Sequence, residues 1–277
     1  MISRPRVSFI ITTFNAEKFI GDTIENLLRT QYEQPYELVI VDDGSTDNTA
    51  DICQKLARKD SKLRFYAEGR LGRAKALNKA VQYAGGEFIA INDADDQSCR
   101  ERLSLVIPKL EQNPEVAMVS TQCIKAAEGL PVDLSSCTGV GESTESQGLD
   151  ALSLYRKNSI THSTVIFRKA AWEKCGGYNE EMRLCIDYDF YFRILTVGKI
   201  LELEAITVRH LLTRDTFFKK QSSGEYLRAY ISVKKLARKL FDIPMVFLIY
   251  DIKILFFILK SLGFRSVKGP PHKSQEL

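Results

Sequence analysis

The run Phe88-Ile89-Ala90-Ile91-Asn92-Asp93-Ala94-Asp95-Asp96-Gln97-Ser98 carries three carboxylates within four residues, directly behind an apolar stretch that reads as a buried strand. Like charges this close repel and raise one another's pKa unless something positive stands between them. Asp93 and Asp95 lie two residues apart at a strand end, where their side chains can point the same way and offer hard oxygen ligands to Mg2+ or Mn2+. Such an ion would also bind a diphosphate. The competing reading is a turn in which Asp side chains hydrogen-bond backbone amides and cap the next helix, and taken alone D-A-D-D favours it. Asp187, in Ile186-Asp187-Tyr188-Asp189, taken alone reads as a first-turn residue favoured by the helix dipole. No G-x-G-x-x-G or G-x-x-x-x-G-K-[ST] follows the first strand-like run, so any phosphate must be neutralised by something other than a glycine-rich loop.

The elements that must position these residues alternate. Val7 to Ile11 is a short β-rich run, followed by a helical pattern with Phe19, Ile20, Ile24, Leu27 and Leu28 on one face. Glu37 to Val41 is a second strand, ending at Asp42-Asp43-Gly44-Ser45, and a helix then carries Ile52, Cys53 and Leu56. Leu63 to Tyr66 is a weaker strand, and Ala74 to Ala84 a helix stopped by Gly85-Gly86. After the acidic run, Ser98 and Glu101 form a capping box for a helix that Pro108 should bend or end. This β-α-β-α order predicts an α/β fold, a mostly parallel sheet flanked by helices. Ligands bind such sheets outside the carboxyl ends of the strands, so Thr12-Thr13-Phe14-Asn15, Asp42-Asp43 and Asp93-Ala94-Asp95-Asp96 should share one crevice. From about residue 122 to 150 the periodicity collapses into a Ser/Thr/Gly-rich loop. A helix over 148–158, a strand over 163–167, helices over 170–175 and 187–197 and a strand near 200–208 follow.

The 277 residues suffice for a sizeable core, and a net charge of +4 is too mild to imply nucleic-acid binding. Six cysteines without a CxxC pair argue against a zinc site or a disulfide framework and favour a reducing compartment. Met1 to Arg6 lead straight into a strand-like run, so no signal peptide is expected.

Several separated stretches resemble the family 2 glycosyltransferases, the inverting group with the GT-A fold: VSFIITTFNAEKFIGDTIENLL, ELVIVDDGSTDNT, GRAKALNKAVQYAGGEFIAINDADD, ITHSTVIFRKAAWEKCGGYNEEM and CIDYDFYFRI, in order over roughly residues 5–210. The resemblance implies a GT-A-type, Rossmann-like domain over 1–215, with 1–100 as the nucleotide-sugar-binding half and 101–215 as the acceptor half, then a helical tail over 216–277. It implies that Thr12 and Phe14 border the nucleotide base, that Asp43 hydrogen-bonds it, and that Asp93 lies near the ribose. Asp95, with Asp93 beside it, would carry Mn2+ or Mg2+ against the diphosphate of a sugar nucleotide, UDP-linked by expectation. Asp187 would be the catalytic base that deprotonates the acceptor hydroxyl, while Asp189, two residues on, should face elsewhere. The stretch Arg70-Leu71-Gly72-Arg73 departs from the family's Asn before glycine, which leaves Arg73 and Arg70 to phosphate or to solvent. His210 is a candidate for the metal or diphosphate, and His162 for an acceptor contact or a structural role. The implied partners are a nucleotide-sugar donor and a glycan or lipid-linked acceptor; a homodimer stays open. A nucleotidyltransferase would carry a glycine-rich basic loop where this chain has TTFNAEKF, and a non-catalytic sugar-nucleotide binder would have little reason to keep Asp43, Asp95 and Asp187 together.

Beyond residue 215 the character changes. RAYISVKKLARK is basic and helical, and residues 245–262 are apolar almost all round, close to the roughly 20 residues that span a bilayer. Asp251 and Lys253 near its middle each cost about 2.5–3.5 kcal/mol there, which brings spanning near break-even and favours lying in the interface. The expected location is cytoplasmic, peripheral on the inner face of the membrane; the alternative is a helix packed on the catalytic domain or across a dimer.

Overall fold

The computed structural model describes residues 4–127, 146–212, 223–244 and 247. Four strands, β1 (Val7–Thr13), β2 (Tyr36–Asp43), β3 (Leu63–Glu68) and β4 (Phe88–Ile91), pair in parallel in the order β3-β2-β1-β4. Helices α1 (Ile20–Leu28), α2 (Thr49–Ala57) and α3 (Arg73–Tyr83) make the crossovers. Side chains alternate across a strand, and that alternation divides the core in two. Ile10, Val39, Val41, Ile89 and Ile91 pack with α3 and the second half of the chain. Phe9, Ile11, Leu38, Ile40, Phe88 and Ala90 pack with α1, α2 and α4 (Arg102–Gln112). Both faces of the central strands are covered, which is why β2 is buried throughout and reads as a continuous apolar run.

Past β4 the sheet becomes mixed. Strand β8 (Ile166–Arg168) runs antiparallel to β4 and to β6 (Val116–Ala127). Strand β9 (Lys199–Leu212) lies parallel to β6 with three register shifts, and β5 (Gln97–Ser98) and β7 (Ser146–Leu149) pair antiparallel to β9. Helices α5 (Ala151–Arg156), α6 (Lys169–Cys175), α7 (Ile186–Leu195) and α8 (Ser223–Phe241) complete the described chain. The patternless stretch is thus partly strand: β6 runs to Ala127, and β7 occupies part of the expected helix. That helix starts at Ala151 because the Asp150 carboxylate accepts from the Ser153 amide at 2.7 Å and fixes its N-terminus.

Three local expectations are corrected. The capping box does not form: Ser98 is drawn into β5 by the Asn26 amide group, which pairs with both its backbone N–H and its carbonyl (2.8 and 3.1 Å), and Glu101 takes the N-cap without a side-chain bond. Pro108 sits inside α4, which continues to Gln112. The glycines after α3 do not cap it in a left-handed turn, because Ala84 leaves the helix in an extended conformation. Gly86 instead lets the chain press against β1: its N–H donates to Ser8 Oγ at 2.9 Å, and a Cβ there would lie 2.7 Å from the Ser8 amide nitrogen.

Among the cysteines, Cys53, Cys123, Cys175 and Cys185 are free thiols but Cys99 is disulfide-bonded, so the cysteine pattern no longer argues for a reducing compartment. Helix α8 packs on α5 and α7, burying Tyr230, Val233, Lys234 and Ala237. The Lys234 ammonium donates to the Tyr155 carbonyl and stands 3.8 Å from the centre of the Tyr155 ring. No helix among the described residues is long and apolar enough to cross a membrane, and the apolar run over 245–262 lies outside them except for Phe247.

Gly86→Ala must displace β1 backbone and is expected to lower stability by about 1–3 kcal/mol. The urea midpoint reads this; an unchanged midpoint would mean that the contact between this turn and β1 is not tight.

Candidate active site

The carboxyl ends of β1, β2 and β4 lie at one edge of the sheet, as their parallel register requires. Each end carries an acidic or polar cluster, and within each cluster neighbouring residues do different work. Asp42 is buried and accepts from Thr13 Oγ1 (2.8 Å), the Ser45 amide (2.9 Å) and Ser45 Oγ (2.5 Å), which shapes the turn after β2. Asn15, in the left-handed region at φ 51°, joins that turn to β1 by accepting from the Thr46 amide at 2.8 Å. Asp43 accepts from the amides of Leu71 (2.6 Å) and Gly72 (2.9 Å) and from Arg70 Nη1 (2.6 Å). Thr12 is half-buried at the end of β1, and Phe14 just beyond it is exposed.

The acidic run is a turn, and the protein supplies most of its positive charge. Arg73, the first residue of α3, donates to Asp93 Oδ1 at 2.5 Å. Burial pushes the Asp93 carboxyl up, but the Arg73 charge, with hydrogen bonds from Arg73 and Ser163, outweighs it and holds it down at about 2. Asp96 is fully buried and accepts from Ser163 Oγ, from the Leu211 amide at 3.0 Å and from His210 Nδ1 at 3.1 Å. That bond, against the effect of burial, raises the His210 pKa. Beneath the turn the buried Arg102 guanidinium donates to the Ile91 carbonyl (3.1 and 3.2 Å), the Val165 carbonyl (3.2 Å) and Ser98 Oγ (3.0 Å). Burial pushes its pKa down to about 9, against the pull of Asp96. Asn92 closes the turn by donating to the carbonyls of Asp93 and Asp96.

Of the three, Asp95 alone has no such partner among the described residues. Burial first, then the charges of Asp96 and Asp93, push its pKa up to about 6. Among the described residues no three His, Cys, Asp or Glu side chains gather into a ready-made metal cluster. The donor set still fits a hard divalent cation: one half-buried carboxylate, with its neighbours committed elsewhere, leaves the other positions to phosphate and water oxygens, as Mg2+ and Mn2+ sites commonly do.

Across the crevice, Asp187 lies half-buried in the first turn of α7, after Cys185 at φ 55°. Its charge is felt by Arg73, His162, Tyr178 and Tyr191. His162 is buried; its Nδ1 faces Arg73 Nη2 at 3.4 Å and its Nε2 faces the Tyr178 hydroxyl at 3.0 Å. Burial lowers its pKa, against the charge of Asp93. Since Arg73 can only donate, the neutral ring carries its proton on Nε2 and gives it to Tyr178. Asp189 points away, as expected, into a buried ion pair with Arg193 (2.6 and 2.8 Å) that also ties the loop at Cys175 and Gly177 to α7. Sequence reasoning missed Arg102, Asn92 and Tyr191, whose buried hydroxyl, one turn after Asp187, has no hydrogen-bond partner among the described residues.

The profile of glycosyl transferase family 2 matches residues 8–174. The chain belongs to this family. Chondroitin synthase of Pasteurella multocida (strain Pm70) is 28% identical over 211 residues, 76% of this chain and 21% of that protein. The β-monoglucosyldiacylglycerol synthase of Nostoc sp. (strain PCC 7120) is 30% identical over 202 residues, 69% of this chain and 42% of that one. The chain thus spans about a fifth and about two fifths of the length of these relatives. S. aureus TarS 1–349 in complex with UDP-GlcNAc superposes with a TM-score of 0.67 at 20% identity, covering 94% of this chain and 73% of that one. The mannosyltransferase PcManGT of Pyrobaculum calidifontis in complex with GDP-Man and Mn2+ superposes at 0.61 and 22% identity, covering 84% and 64%. These likenesses establish the fold, the GT-A type expected of family 2.

The two carboxylates of α7 should separate cleanly in a stability measurement. Asp189→Asn leaves Arg193 uncompensated and is expected to cost about 3 kcal/mol in urea unfolding, whereas Asp187→Asn should stay within about 1 kcal/mol of the parent. Equal losses would contradict this division.

Proposed function

We propose that the chain transfers a sugar, with inversion, from a nucleoside-diphospho-sugar to a hydroxyl of a glycan or lipid-linked acceptor. The observation that carries this reading is Asp95, the one carboxylate of the acidic turn without a donor among the described residues, beside the Asp93–Arg73 pair, with Asp187 facing them from α7. In this reading residues 1–100 hold the donor and 101–215 supply the base and the acceptor side. UDP is the favoured nucleotide, consistent with the UDP-GlcNAc held by TarS; the GDP-Man held by PcManGT keeps other bases in the test.

Thr12 and Phe14 border the base and Asp43 meets its edge, while Asp93, steadied by Arg73, lies at the ribose. Arg73 opens α3, so its guanidinium and the helix N-terminus both present positive charge to the diphosphate. Asp95, with Asp93 adjacent, would hold Mn2+ or Mg2+, which supplies Lewis-acid neutralisation of the departing diphosphate when bound. Asp187 accepts the proton of the acceptor hydroxyl. The freed oxygen lone pair forms a bond to the anomeric carbon on the face opposite the leaving group, and the breaking C–O bond leaves its electron pair on the diphosphate. His162 serves as a positioning residue, holding Arg73 against Tyr178.

The exposed face of α8 carries Arg228, Lys235 and Lys239 with Ile231 and Leu240, a pattern suited to anionic headgroups. The chain is therefore proposed to sit peripherally on the cytoplasmic side of the membrane. Flotation with phosphatidylglycerol vesicles should recover the protein, and Lys235→Glu with Lys239→Glu should release it; binding indifferent to both charges would contradict headgroup contact by α8.

Calorimetry with UDP, GDP and dTDP tests the site. At least one should bind with Mn2+ and lose most of its affinity after chelation; equal affinity in both conditions would remove the metal from the account. Asp187→Asn should lower transfer by about two to four orders of magnitude with nucleotide affinity unchanged, and Asp95→Asn should weaken both. Near-normal transfer by Asp187→Asn would dismiss it as the base.

A further inference from the structure

Tyr191 lies one turn after Asp187 on α7. Side chains four residues apart share a helix face, and long side chains on a helix lean back towards its N-terminus. That direction carries the Tyr191 phenol over the first turn of α7, where Asp187 sits. Burial raises the Tyr191 pKa well above its ordinary value, and the charge of Asp187 raises it further, ahead of Tyr178 and Asp93. The Asp187 carboxylate is thus the charge that this hydroxyl senses most.

The Tyr191 side chain is fully buried, and its hydroxyl has no hydrogen-bond partner among the described residues. A buried polar group left unpaired costs stability, and a phenyl ring of the same shape would remove that cost. Other groups around Asp187 are engaged. The Tyr178 hydroxyl faces His162 Nε2 at 3.0 Å, Arg73 is paired with Asp93, and the Cys185 thiol hydrogen-bonds to Tyr226 of α8. Tyr191 therefore keeps a spare donor against the one helix turn that carries the base. Asp187 is only half-buried, so its carboxylate can turn to that donor while Tyr191, enclosed in the core, stays fixed. A general base needs a fixed direction as well as a free lone pair, because the attacking oxygen must be aligned with the anomeric carbon.

We infer that Tyr191 is a positioning residue for the base. The Tyr191 hydroxyl donates to one oxygen of the Asp187 carboxylate as the acceptor enters, and the other oxygen takes the acceptor's proton. This rests on the reading of Asp187 as the base. The stability given up by an unpaired hydroxyl in the resting protein is then recovered only in the reacting complex.

Tyr191→Phe removes the oxygen and keeps the ring. Hydrolysis of UDP-GlcNAc and of GDP-Man by the full chain with Mn2+ reads the effect, water standing in for the acceptor hydroxyl. The urea midpoint and the affinity for UDP and GDP by calorimetry are read beside it. The variant should be at least as stable as the parent, bind nucleotide equally well and turn over about tenfold more slowly, the worth of one hydrogen bond to a charged group. In an Asp187→Asn background, followed over hours at high enzyme concentration, the same substitution should cause no further loss, because a residue that acts through another is not additive with it. Parental turnover by Tyr191→Phe overturns the inference. An equal proportional loss in both backgrounds also overturns it, by placing the effect of the hydroxyl elsewhere, as does a lower midpoint with weakened nucleotide binding, which would make it structural. Should Asp187→Asn turn over like the parent, or the folded parent hydrolyse neither donor, the reading of the base itself fails and this inference falls with it.

Discussion

Three carboxylates at the end of one buried strand set the terms for everything around them. Two unit charges about 4 Å apart at an effective dielectric of about 20 interact by roughly 4 kcal/mol, so the turn after β4 folds only if opposite charge is built into its surroundings. The compensation is drawn from distant parts of the chain. Arg73 arrives on the first turn of α3, Arg102 on the first turn of α4, and His210 from the far strand β9. Asp96 alone gathers bonds from Ser163, His210 and Leu211, so the charge balance of one turn also pins the second half of the molecule onto the first. Asp95 is left over, and the site follows from that imbalance.

The same economy recurs at each acidic pair. Asp42 makes a turn while Asp43 anchors the loop at 70–72. Asp189 locks α7 to the preceding loop through Arg193, while Asp187 faces the crevice. In the Asp95–Asp96 and Asp187–Asp189 pairs one carboxylate is enclosed by donors, Asp96 and Asp189, and it gives its neighbour a rigid mount. His162 fits this scheme as a neutral link between Arg73 and Tyr178, and His210 as the partner of Asp96.

The first hundred residues were legible in sequence because parallel strands buried on both faces announce themselves as apolar runs, and their carboxyl ends must carry any ligand site. Strand order alone therefore puts Thr12, Asp43, Asp93 and Asp95 at one edge. The second half was harder. The second half of β6 was lost where the periodicity collapses from about residue 122, because its stability comes from pairing with β9, some eighty residues away, and not from local pattern. Ser98 carried a helix-start signature that pairing with Asn26 overrode. Arg102 gave no signal at all: an arginine at the head of an amphipathic helix is ordinarily solvated, and only the tertiary fold shows it buried beneath the acidic turn. Arg70 was visible only as a departure from the family's pattern, and its guanidinium 3.5 Å over the Phe14 ring is a fact of three dimensions.

The central claim is that Asp95 is the carboxylate left for a cation while Asp93 and Asp96 are neutralised from within. Anomalous diffraction at the manganese edge, on crystals grown with Mn2+ and the nucleoside diphosphate that binds best, tests it directly. The account expects one anomalous peak within coordination distance of an Asp95 oxygen and of the diphosphate, with Arg73 still on Asp93 and His210 still on Asp96. A peak on Asp96 with His210 displaced, or nucleotide bound with no metal near Asp95, would contradict it.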